Sequence, residues 1–598
     1  MNEAGADQGL TNLLWAQTFV DALAAAGLRD AVISPGSRST PLALALLRQP
    51  AIRSTVVIDE RCAAFFALGR AKDSGLPVAL LCTSGSAPAN WFPAVIEAAQ
   101  SATPLLLMSA DRPAELQGWG ANQTVDQLGL FGTHVRAAHA LEAPQAGFAP
   151  GWLRRFAARI VAESLAPLAG PVHVNLPFRE PLLPAADPAQ WPQATTVDSV
   201  VLAAAGLSLP DPAAIAATAA ELSGRPGIIV CGGGRFPAGF AEAILALAAA
   251  LDCPVFAEPL SGLRFGAHFA GEGRRRICVR HESFLRSRDF VDTQRPDWVL
   301  RFGDFPVTKQ VQQWLAAVVP AMQIVVAPPG RWSDPQHAAT RFLHGDALAI
   351  TRRLASAVTA TAPPGWCEAF ARAEAAVERA LEQAGSESDA FWEGVIVPAL
   401  LARLPAGFRF FCGASMAIRD LDTFSGSSDK LLAFFTNRGA SGIDGNLSTA
   451  AGISGAGATL ALVGDLTCAH DSGGLALARG RPLLVVVVNN GGGGIFEYLA
   501  PAALPEFARG WLTPVDADFA HLAATWGITY RRAATLTDLQ AALDTALATL
   551  ARNEPCLIEA VVDRPLSLSR HRDWWRRAAA AVDALAGART AQGDRAER

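Results

Sequence analysis

A chain of 598 residues is too long for one hydrophobic core, so several domains are expected. Its composition, 51% apolar and 18% charged residues, is typical of a folded globular protein and excludes an intrinsically disordered one. The formal net charge of −5 excludes the broad basic surface that binds nucleic acid.

The first 185 residues alternate between short apolar runs and helix-compatible stretches. The predicted strands are 31–34, 55–58, 78–83 and 105–109, and the helices between them include 61–72 and 88–100. This alternation predicts a parallel, doubly wound α/β sheet with right-handed crossovers. Polar and glycine-rich segments follow the strands, at the sheet edge where such folds bind ligands. A first domain, 1–185, is therefore expected to carry part of a binding site.

Two further units with the same alternation follow a proline-rich linker at 181–196. In the central unit, 200–355, the glycines at 232–234 follow a predicted strand, as in a dinucleotide-binding loop. They lack the full G-x-G-x-x-G spacing and the acidic partner, so a tight turn is the favoured alternative. The third unit is 390–575, and the polar segment at 576–598 is predicted to be a C-terminal tail, disordered from about residue 585.

The cysteines and the N-terminal segment indicate in which cellular compartment the protein is found. The nine cysteines include no C-x-x-C pair, which is typical of reduced thiols in a cytoplasmic protein. The acidic N-terminal segment has no apolar core of the kind found in signal peptides. Since no apolar run reaches the length of a membrane span, a cytoplasmic protein without membrane insertion is predicted.

The segment 464–496 carries the clearest chemical signal. Asp465 ends one apolar run, and Asn490 with four glycines ends the next, which is β-branched and reads as a strand buried on both faces. Neighbouring parallel strands end at the same sheet edge, so a carboxylate, an amide oxygen and a glycine carbonyl are expected close together. Mg²⁺ binds such oxygen sets when it also carries phosphate oxygens. The alternative is an ordinary crossover whose turn residues have no ligand.

This pattern resembles the GD…NN signature of thiamine-diphosphate enzymes. The resemblance implies that Asp465, Asn490 and the Gly492 carbonyl hold Mg²⁺, or Mn²⁺, against the cofactor's diphosphate. Gly464, Leu466 and Ile443 would also contact the cofactor, with Ile443 supporting its bent form. Leu466 stands where most of the superfamily has glycine.

Glu60 follows a predicted strand and opens a helix in the sequence IDER, 58–61. The same resemblance places the family's catalytic glutamate here, against N1′ of the aminopyrimidine, where it promotes the imino tautomer that activates the cofactor. A carboxyl group at an apolar strand end tends to have a raised pKa, which suits this role. The alternative is a first-turn glutamate that complements the helix dipole.

Longer motifs narrow the resemblance to the 2-succinyl-5-enolpyruvyl-6-hydroxy-3-cyclohexene-1-carboxylate synthases of menaquinone and phylloquinone synthesis. The motifs are SPGSRSTPL (34–42), IDER (58–61), TSGSAPAN (83–90), SADRP (109–113), GANQT (120–124), NRGASGIDGNLSTAAG (437–452) and NNGGGGIF (489–496). They lie in both outer units. The resemblance implies three doubly wound domains, in which the first binds the pyrimidine, the last binds the diphosphate and the central one is structural.

The substrates of that family, 2-oxoglutarate and isochorismate, each carry two carboxylates. Planar arginine side chains suit carboxylates best. The polar residues that the resemblance places at the substrate are Ser37, Arg38, Arg112, Gln123, Ser415, Arg419 and Arg438. Ile495, Phe496 and Leu499 would wall the pocket. Lys309 is the counterpart of a family Lys-Arg pair, but Gln310 replaces the arginine and the match is weak.

The implied reaction is decarboxylation of 2-oxoglutarate followed by conjugate addition of the remaining four-carbon unit to isochorismate. Glu60 and Asp465 lie in different domains, so the family arrangement implies a homodimer or homotetramer with active sites between subunits. Two alternatives stay open. One is an acetolactate-synthase type of carboligase or decarboxylase, with a less cationic pocket and FAD in the central domain of some members. The other is a binding protein that keeps the cofactor site without turnover.

Overall fold

The computed structural model describes residues 7–191, 206–317, 322–386 and 389–596. It contains three separate six-stranded sheets, and every strand pair recorded in them is parallel. The expected class, three doubly wound parallel sheets, is therefore confirmed. Part of the predicted linker at 181–196 lies outside the described residues.

The strands of each sheet come from one continuous part of the chain. The first sheet has the order β2-β1-β3-β4-β6-β5, the second β12-β11-β10-β7-β8-β9 and the third β14-β13-β15-β16-β18-β17. The strands are β1 Asp30–Ile33, β2 Arg53–Val56, β3 Val78–Cys82, β4 Leu105–Asp111, β5 Ala137–Ala140, β6 Pro171–Pro177, β7 Gly227–Cys231, β8 Val255–Ala257, β9 Ile277–Cys278, β10 Trp298–Phe302, β11 Met322–Ala327, β12 Arg341–His344, β13 Arg409–Cys412, β14 Ala433–Phe435, β15 Thr459–Gly464, β16 Leu483–Asn489, β17 Thr529–Ala533 and β18 Cys556–Val561.

Helices cover the sheets, as buried parallel strands require. Those of the first unit are α1 Gln8–Ala25, α2 Thr40–Arg48, α3 Glu60–Ser74, α4 Phe92–Gln100 and α5 Pro150–Leu165. Those of the second are α6 Pro212–Leu222, α7 Phe240–Leu251, α8 Glu272–Arg276, α9 His281–Phe284, α10 Arg288–Thr293, α11 Lys309–Ala317, α12 Ala347–Ala357 and α13 Trp366–Ser386. Those of the third are α14 Glu393–Arg403, α15 Met416–Phe424, α16 Asn446–Ile453, α17 Asp465–His470, α18 Phe519–Thr525, α19 Leu536–Leu550 and α20 Arg564–Ala596. None of the described helices combines the length and the apolar character needed to cross a membrane.

The first and third units pack together through α3 and α16. A Cβ atom added at Gly69 would lie 2.0 Å from the carbonyl oxygen of Thr449, so the two helices approach at a distance that only glycine permits. Phe65, Phe66 and Leu447 belong to one buried cluster that spans both units. The N-terminus of α3, which carries Glu60, is thereby held beside the third unit.

The central unit does not carry an open glycine loop. A Cβ atom at Gly232 would lie 2.0 Å from the carbonyl oxygen of Asp304, because the turn after β7 packs directly on the turn after β10. The favoured alternative, a tight turn, agrees with this close packing. The glycine provides backbone contact rather than a cradle for phosphate.

The chain's C-terminal part differs from the prediction. Helix α20 runs from Arg564 to Ala596, so the predicted division at 576 falls inside a helix and the expected disordered tail is wrong in the described range. Trp574, Ala578 and Val582 are buried in a cluster with residues of the central unit. The polar sequence at its end gave no apolar pattern from which this helix could be predicted.

A buried ion pair joins the central and third units, and its loss is expected to destabilise the fold. The guanidinium of Arg264 contacts the carboxylate of Asp422, and the two side chains are 0% and 1% exposed. Asp422→Ala would leave the arginine charge buried without this partner, so we expect the free energy of unfolding to fall by about 3–5 kcal/mol. Urea denaturation followed by circular dichroism measures the change.

The matched control is Asp292→Ala, which removes an ion pair with Arg295 whose side chains are both 69% exposed. Its effect should stay within about 0.5 kcal/mol, because water screens such a pair. Equal effects of the two substitutions would contradict a structural role for the buried pair.

Candidate active site

A cavity of about 500 Å³ opens at the carboxyl edge of the third sheet. It lies where β13, β15 and β16 end, which is the position that the strand polarity predicts for a ligand. The lining residues include Glu393, Ser415, Arg419, Asp420, Arg438, Ile443, Gly464, Asp465, Leu466, Asn490, Gly492, Ile495 and Phe496. The predicted metal ligands and cofactor contacts of this unit therefore surround one space.

Asp465 stands at the first position of α17, directly after β15, and is 2% exposed. Its two carboxylate oxygens accept hydrogen bonds of 2.7 Å from the backbone N–H groups of Leu466 and Gly492. Burial raises the pKa of Asp465, while these N–H groups oppose the shift. The bond to Gly492 holds the glycine loop after β16 against the end of β15.

Asn490 presents an oxygen without a partner. Its Nδ2 donates a 2.6 Å hydrogen bond to Glu393 Oε1, while its buried Oδ1 has no hydrogen-bond partner among the described residues. A buried acceptor of this kind is costly unless a ligand satisfies it. Together with the Asp465 carboxylate and the Gly492 carbonyl, it forms the hard oxygen set that Mg²⁺ prefers. These residues fit a divalent cation that carries diphosphate oxygens.

Two arginines, Arg419 and Arg438, bring guanidinium groups to the cavity. Arg419 Nη1 donates to the carbonyl oxygen of Ser415 at 2.6 Å, one turn earlier in the chain. Burial, and then the neighbouring Arg438, lower the pKa of Arg419. Ser415 itself has a φ of 71°, a left-handed conformation that is uncommon for serine and often marks a functional turn. The lining thus offers two guanidinium groups that could pair with an anionic ligand.

The apolar wall is formed by Ile443, Ile495 and Phe496, which all line the cavity. Phe496 lies in the short helical turn Gly494–Tyr498, which follows the glycine loop. Leu499 comes just after this turn, is 45% exposed and does not line the cavity. A wall of this kind excludes water from charges inside the site.

A second polar cluster lies at the carboxyl edge of the first sheet. Arg112 contacts the Ser84 hydroxyl, and Gln123 Nε2 donates to the Ser84 carbonyl oxygen at 2.8 Å. Arg38 is buried and forms a 2.8 Å ion pair with Glu180. Burial, and then Arg38, lower the pKa of Arg112. Ser37 is exposed in the same loop as Arg38, so four of the predicted substrate residues share this edge.

Glu60 is positioned by the start of α3. The Asp59 carboxylate accepts hydrogen bonds from the backbone N–H groups of Arg61 and Cys62 and so caps the helix at Glu60. Burial, and then the Glu60 carboxylate, raise the pKa of Cys82, the last residue of β3. Glu60 therefore belongs to the edge of the first sheet and does not line the cavity of the third.

Lys309, at the first position of α11, is exposed and lies outside the cavity lining. The side chain of the following Gln310 donates to the Leu285 carbonyl oxygen at 2.9 Å within the central unit. Within one chain Lys309 therefore does not line this cavity, and its contact with substrate stays a prediction.

Sequence reasoning missed a group of buried polar residues at the cavity, two of which belong to its lining. Glu393, Asp420 and His571 are 4%, 5% and 2% exposed and offer atoms within 4.8 Å of one another. They come from α14, α15 and α20, and no motif spacing links them. The one available signal was a glutamate next to the apolar run of α14, which is common in sequences.

Two family models match the chain. Residues 15–130 match the N-terminal TPP binding domain of thiamine pyrophosphate enzymes, and residues 425–560 match their C-terminal TPP binding domain. The second match includes Asp465, Asn490 and the whole glycine loop. A solved structure of benzoylformate decarboxylase from Polynucleobacter necessarius aligns with a TM-score of 0.66 and 15% identity, covering 92% of this chain and 98% of that one. At this identity the likeness shows a shared fold.

Curated relatives extend the match over almost the whole chain, and those compared here share one name, 2-succinyl-5-enolpyruvyl-6-hydroxy-3-cyclohexene-1-carboxylate synthase. The relative from Dechloromonas aromatica is 48% identical over 546 residues, which cover 91% of this chain and 97% of the relative. That from Geobacillus kaustophilus is 42% identical, covering 86% and 89%, and that from Halobacterium salinarum is 40% identical, covering 90% and 93%. The chain therefore belongs to the family of 2-succinyl-5-enolpyruvyl-6-hydroxy-3-cyclohexene-1-carboxylate synthases and has the thiamine-diphosphate enzyme fold.

Proposed function

We propose that this protein is a thiamine-diphosphate- and Mg²⁺-dependent carboligase that decarboxylates 2-oxoglutarate and adds the four-carbon unit to isochorismate. The observation that carries the proposal is one cavity with two chemically distinct parts. Asp465, Asn490 and Gly492 bring cation ligands to its lining, and Arg419 and Arg438 bring positively charged groups to the same lining. A cation-held diphosphate and a carboxylate substrate suit this division.

The cofactor, when bound, supplies the electron sink that decarboxylation and carbon–carbon bond formation both need. The chain's own residues bind and orient the cofactor and the substrates, and they exclude water from the site. Asp465, Asn490 and Gly492 would hold Mg²⁺, or Mn²⁺ in its place, and Gly464, Leu466 and Ile443 would contact the cofactor. Glu60 would exchange a proton with the aminopyrimidine nitrogen N1′.

Recognition of the substrates rests on their carboxylates. Arg419 and Arg438 line the same cavity as Ile495 and Phe496, so a dicarboxylate could bind with its charged end against an arginine and its carbon chain against the apolar side chains. Arg112, with Ser84 and Gln123 beside it, offers a further cationic group on the first sheet. Arg38 already forms an ion pair with Glu180, so it would have to interact with that carboxylate and the substrate at the same time.

We infer that the complete site forms between two copies of the chain. The cavity takes its lining from residues 393–496 alone, and Glu60, Arg112 and Gln123 lie at the edge of another sheet. Ile58, two residues before Glu60, is 86% exposed, as is expected of an apolar residue that a partner covers. A homodimer or homotetramer would join the two halves of the site and would also allow Ser37, Lys309 and Leu499 to contribute to it. The nine unpaired, buried cysteines support a cytoplasmic location.

Substrate dependence of CO₂ release is expected to test this function. With thiamine diphosphate and Mg²⁺, the purified protein should release CO₂ from 2-oxoglutarate, with a sharp rise on adding isochorismate because addition regenerates the free cofactor. A coupled CO₂ assay with mass spectrometry of the product measures both. Consumption of pyruvate with no response to isochorismate would overturn the substrate assignment in favour of an acetolactate-synthase type. Cofactor binding without any turnover would indicate a binding protein.

A further inference from the structure

Glu393 is a buried carboxylate in the cavity lining, and it contacts the amide of a proposed metal ligand. It is the first residue of α14, and its Oε1 accepts the 2.6 Å hydrogen bond from Asn490 Nδ2. Its own backbone N–H donates to the Ser567 hydroxyl at 3.3 Å. Because Oε1 already has a hydrogen-bond donor, Glu393 acts on the site through Asn490.

The orientation of the Asn490 amide decides whether the site can bind a cation. The two ends of a carboxamide have almost the same shape, but only the oxygen is a ligand for a hard cation. A carboxylate accepts hydrogen bonds and cannot donate them, so it favours the –NH₂ end of the amide on its own side. The opposite orientation would place Oδ1 of Asn490 against Oε1 of Glu393, with two acceptors in contact. Oδ1 is left free on the side away from Glu393.

We propose that Glu393 is a positioning residue that fixes the side-chain amide of Asn490 with its oxygen toward the divalent cation. The inference rests on the proposed function, since it needs the cation site formed by Asp465, Asn490 and Gly492. Nothing in the metal-ligand pattern of the sequence points to Glu393, which lies 97 residues before Asn490.

Two further groups hold Glu393 and the loop in place. His571 Nε2 contacts Asp420 Oδ1 at 2.8 Å, and its Nδ1 lies 2.8 Å from the Ser567 carbonyl oxygen, so both ring nitrogens face acceptors. Burial alone would lower the pKa of His571, but Asp420 raises it overall. The His571 ring lies within 4.8 Å of the Glu393 carboxylate, so a proton on the ring would offset the burial of that carboxylate.

Arg564, the first residue of α20, fixes the backbone of the same loop. Its Nη1 donates to the carbonyl oxygens of Asn490 and Gly491 at 3.1 and 3.3 Å, and its Nε pairs with Glu497 at 2.9 Å. The main chain of Asn490 is thus held independently of its side chain. The orientation of the amide is left to Glu393.

The test measures cation binding directly, by counting free Mn²⁺ from its electron paramagnetic resonance signal at saturating thiamine diphosphate. Glu393→Gln should weaken Mn²⁺ binding by about tenfold to a hundredfold, because glutamine can accept from or donate to either end of the amide. Adding Asn490→Asp to this variant should restore binding to within about threefold of wild type, since a carboxylate presents oxygen in either orientation. Asn490→Asp alone should bind more weakly than the double variant, because it places two carboxylates in contact.

Glu374→Gln is the matched control, because burial raises the pKa of Glu374 to about 7 and its carboxylate accepts hydrogen bonds from the backbone N–H groups of Val279 and Arg280, in the central unit. It should leave Mn²⁺ binding unchanged. If Glu393→Gln does not fold, Glu393→Asp, which keeps the charge but shortens the reach, should still weaken binding.

Wild-type Mn²⁺ affinity in Glu393→Gln, or failure of the double variant to recover, would overturn the inference while leaving the proposed function intact. Asp465→Asn separates the two claims. It should abolish Mn²⁺ binding at this site, and unchanged binding would place the cation elsewhere and overturn both.

Discussion

Glu60→Gln is expected to lower kcat by a factor of about 10²–10⁴, the range over which a positioned acid–base group contributes to catalysis. Glutamine has the shape of glutamate but cannot exchange a proton with the aminopyrimidine nitrogen N1′. The KM for 2-oxoglutarate should change little, because Glu60 is not among the proposed cation ligands and arginines that line the cavity. Steady-state CO₂ release at saturating cofactor measures both constants.

The control is Glu115→Gln in the same unit. Glu115 forms an ion pair with Arg179 at the surface, where its side chain is 51% exposed. This substitution should leave kcat within about twofold of wild type, since exposed pairs contribute little. A kcat near wild type for Glu60→Gln would contradict the assignment of Glu60.

Mixed dimers extend this prediction to the location of the site. If each site combines Glu60 of one chain with Asp465 of another, a dimer of Glu60→Gln and Asp465→Asn chains has one site with both defects and one intact site. Random re-pairing of the two inactive variants should therefore restore about a quarter of the wild-type activity. Sites contained within single chains would give no recovery, which would contradict the inferred assembly.

The fold could be predicted where the sequence pattern and the burial agree. Strand β3 is apolar throughout and fully buried, and β16 is apolar up to its final Asn489 and mostly buried, so a continuous apolar run identified both. Strand β6 is also buried but was missed, because His173 and Asn175 interrupt its apolar pattern. Both side chains bond to the Ser109 hydroxyl on β4, at 2.8 and 2.9 Å, and are satisfied by a neighbour that the sequence pattern does not reveal.

The edge strand β17 was missed for a different reason. Strand β17 exposes most of its side chains at the rim of the third sheet, so its sequence TYRRA lacks an apolar run. Its strand conformation comes from pairing with β18. Tertiary pairing of this kind overrides local propensity.

The candidate site likewise contains residues that could be predicted from the sequence and one that could not. Asp465 and Asn490 could be paired from sequence because both follow buried strands that are neighbours in the third sheet. Glu393 could not, because its contact with Asn490 depends on how α14 packs beside that sheet. A side chain that acts through another residue is not marked by any fixed spacing in the sequence. Its contact is therefore seen only in the three-dimensional structure.

Substitution of the paired arginines should separate substrate binding from cofactor binding. Arg438→Met removes a guanidinium from the cavity while keeping much of its length, and the KM for 2-oxoglutarate or isochorismate should rise about tenfold to a hundredfold. This is the range expected for losing one charge-assisted hydrogen bond to a carboxylate. Arg419→Met should act in the same direction. Cofactor affinity should stay near wild type, since Asp465, Asn490 and Gly492 remain.

Arg136→Met is the matched control, because burial also lowers the pKa of Arg136, yet its guanidinium donates to the backbone carbonyls of Ala99 and Ala169. It should lower stability without raising either KM. The double variant of Arg419 and Arg438 should lose less than the sum of the single effects, because removing one arginine also removes its repulsion of the other. If both single variants bound substrate like the wild type, the carboxylates would have to be held by Arg38 and Arg112 on the first sheet, and the cavity arginines would have only a structural role.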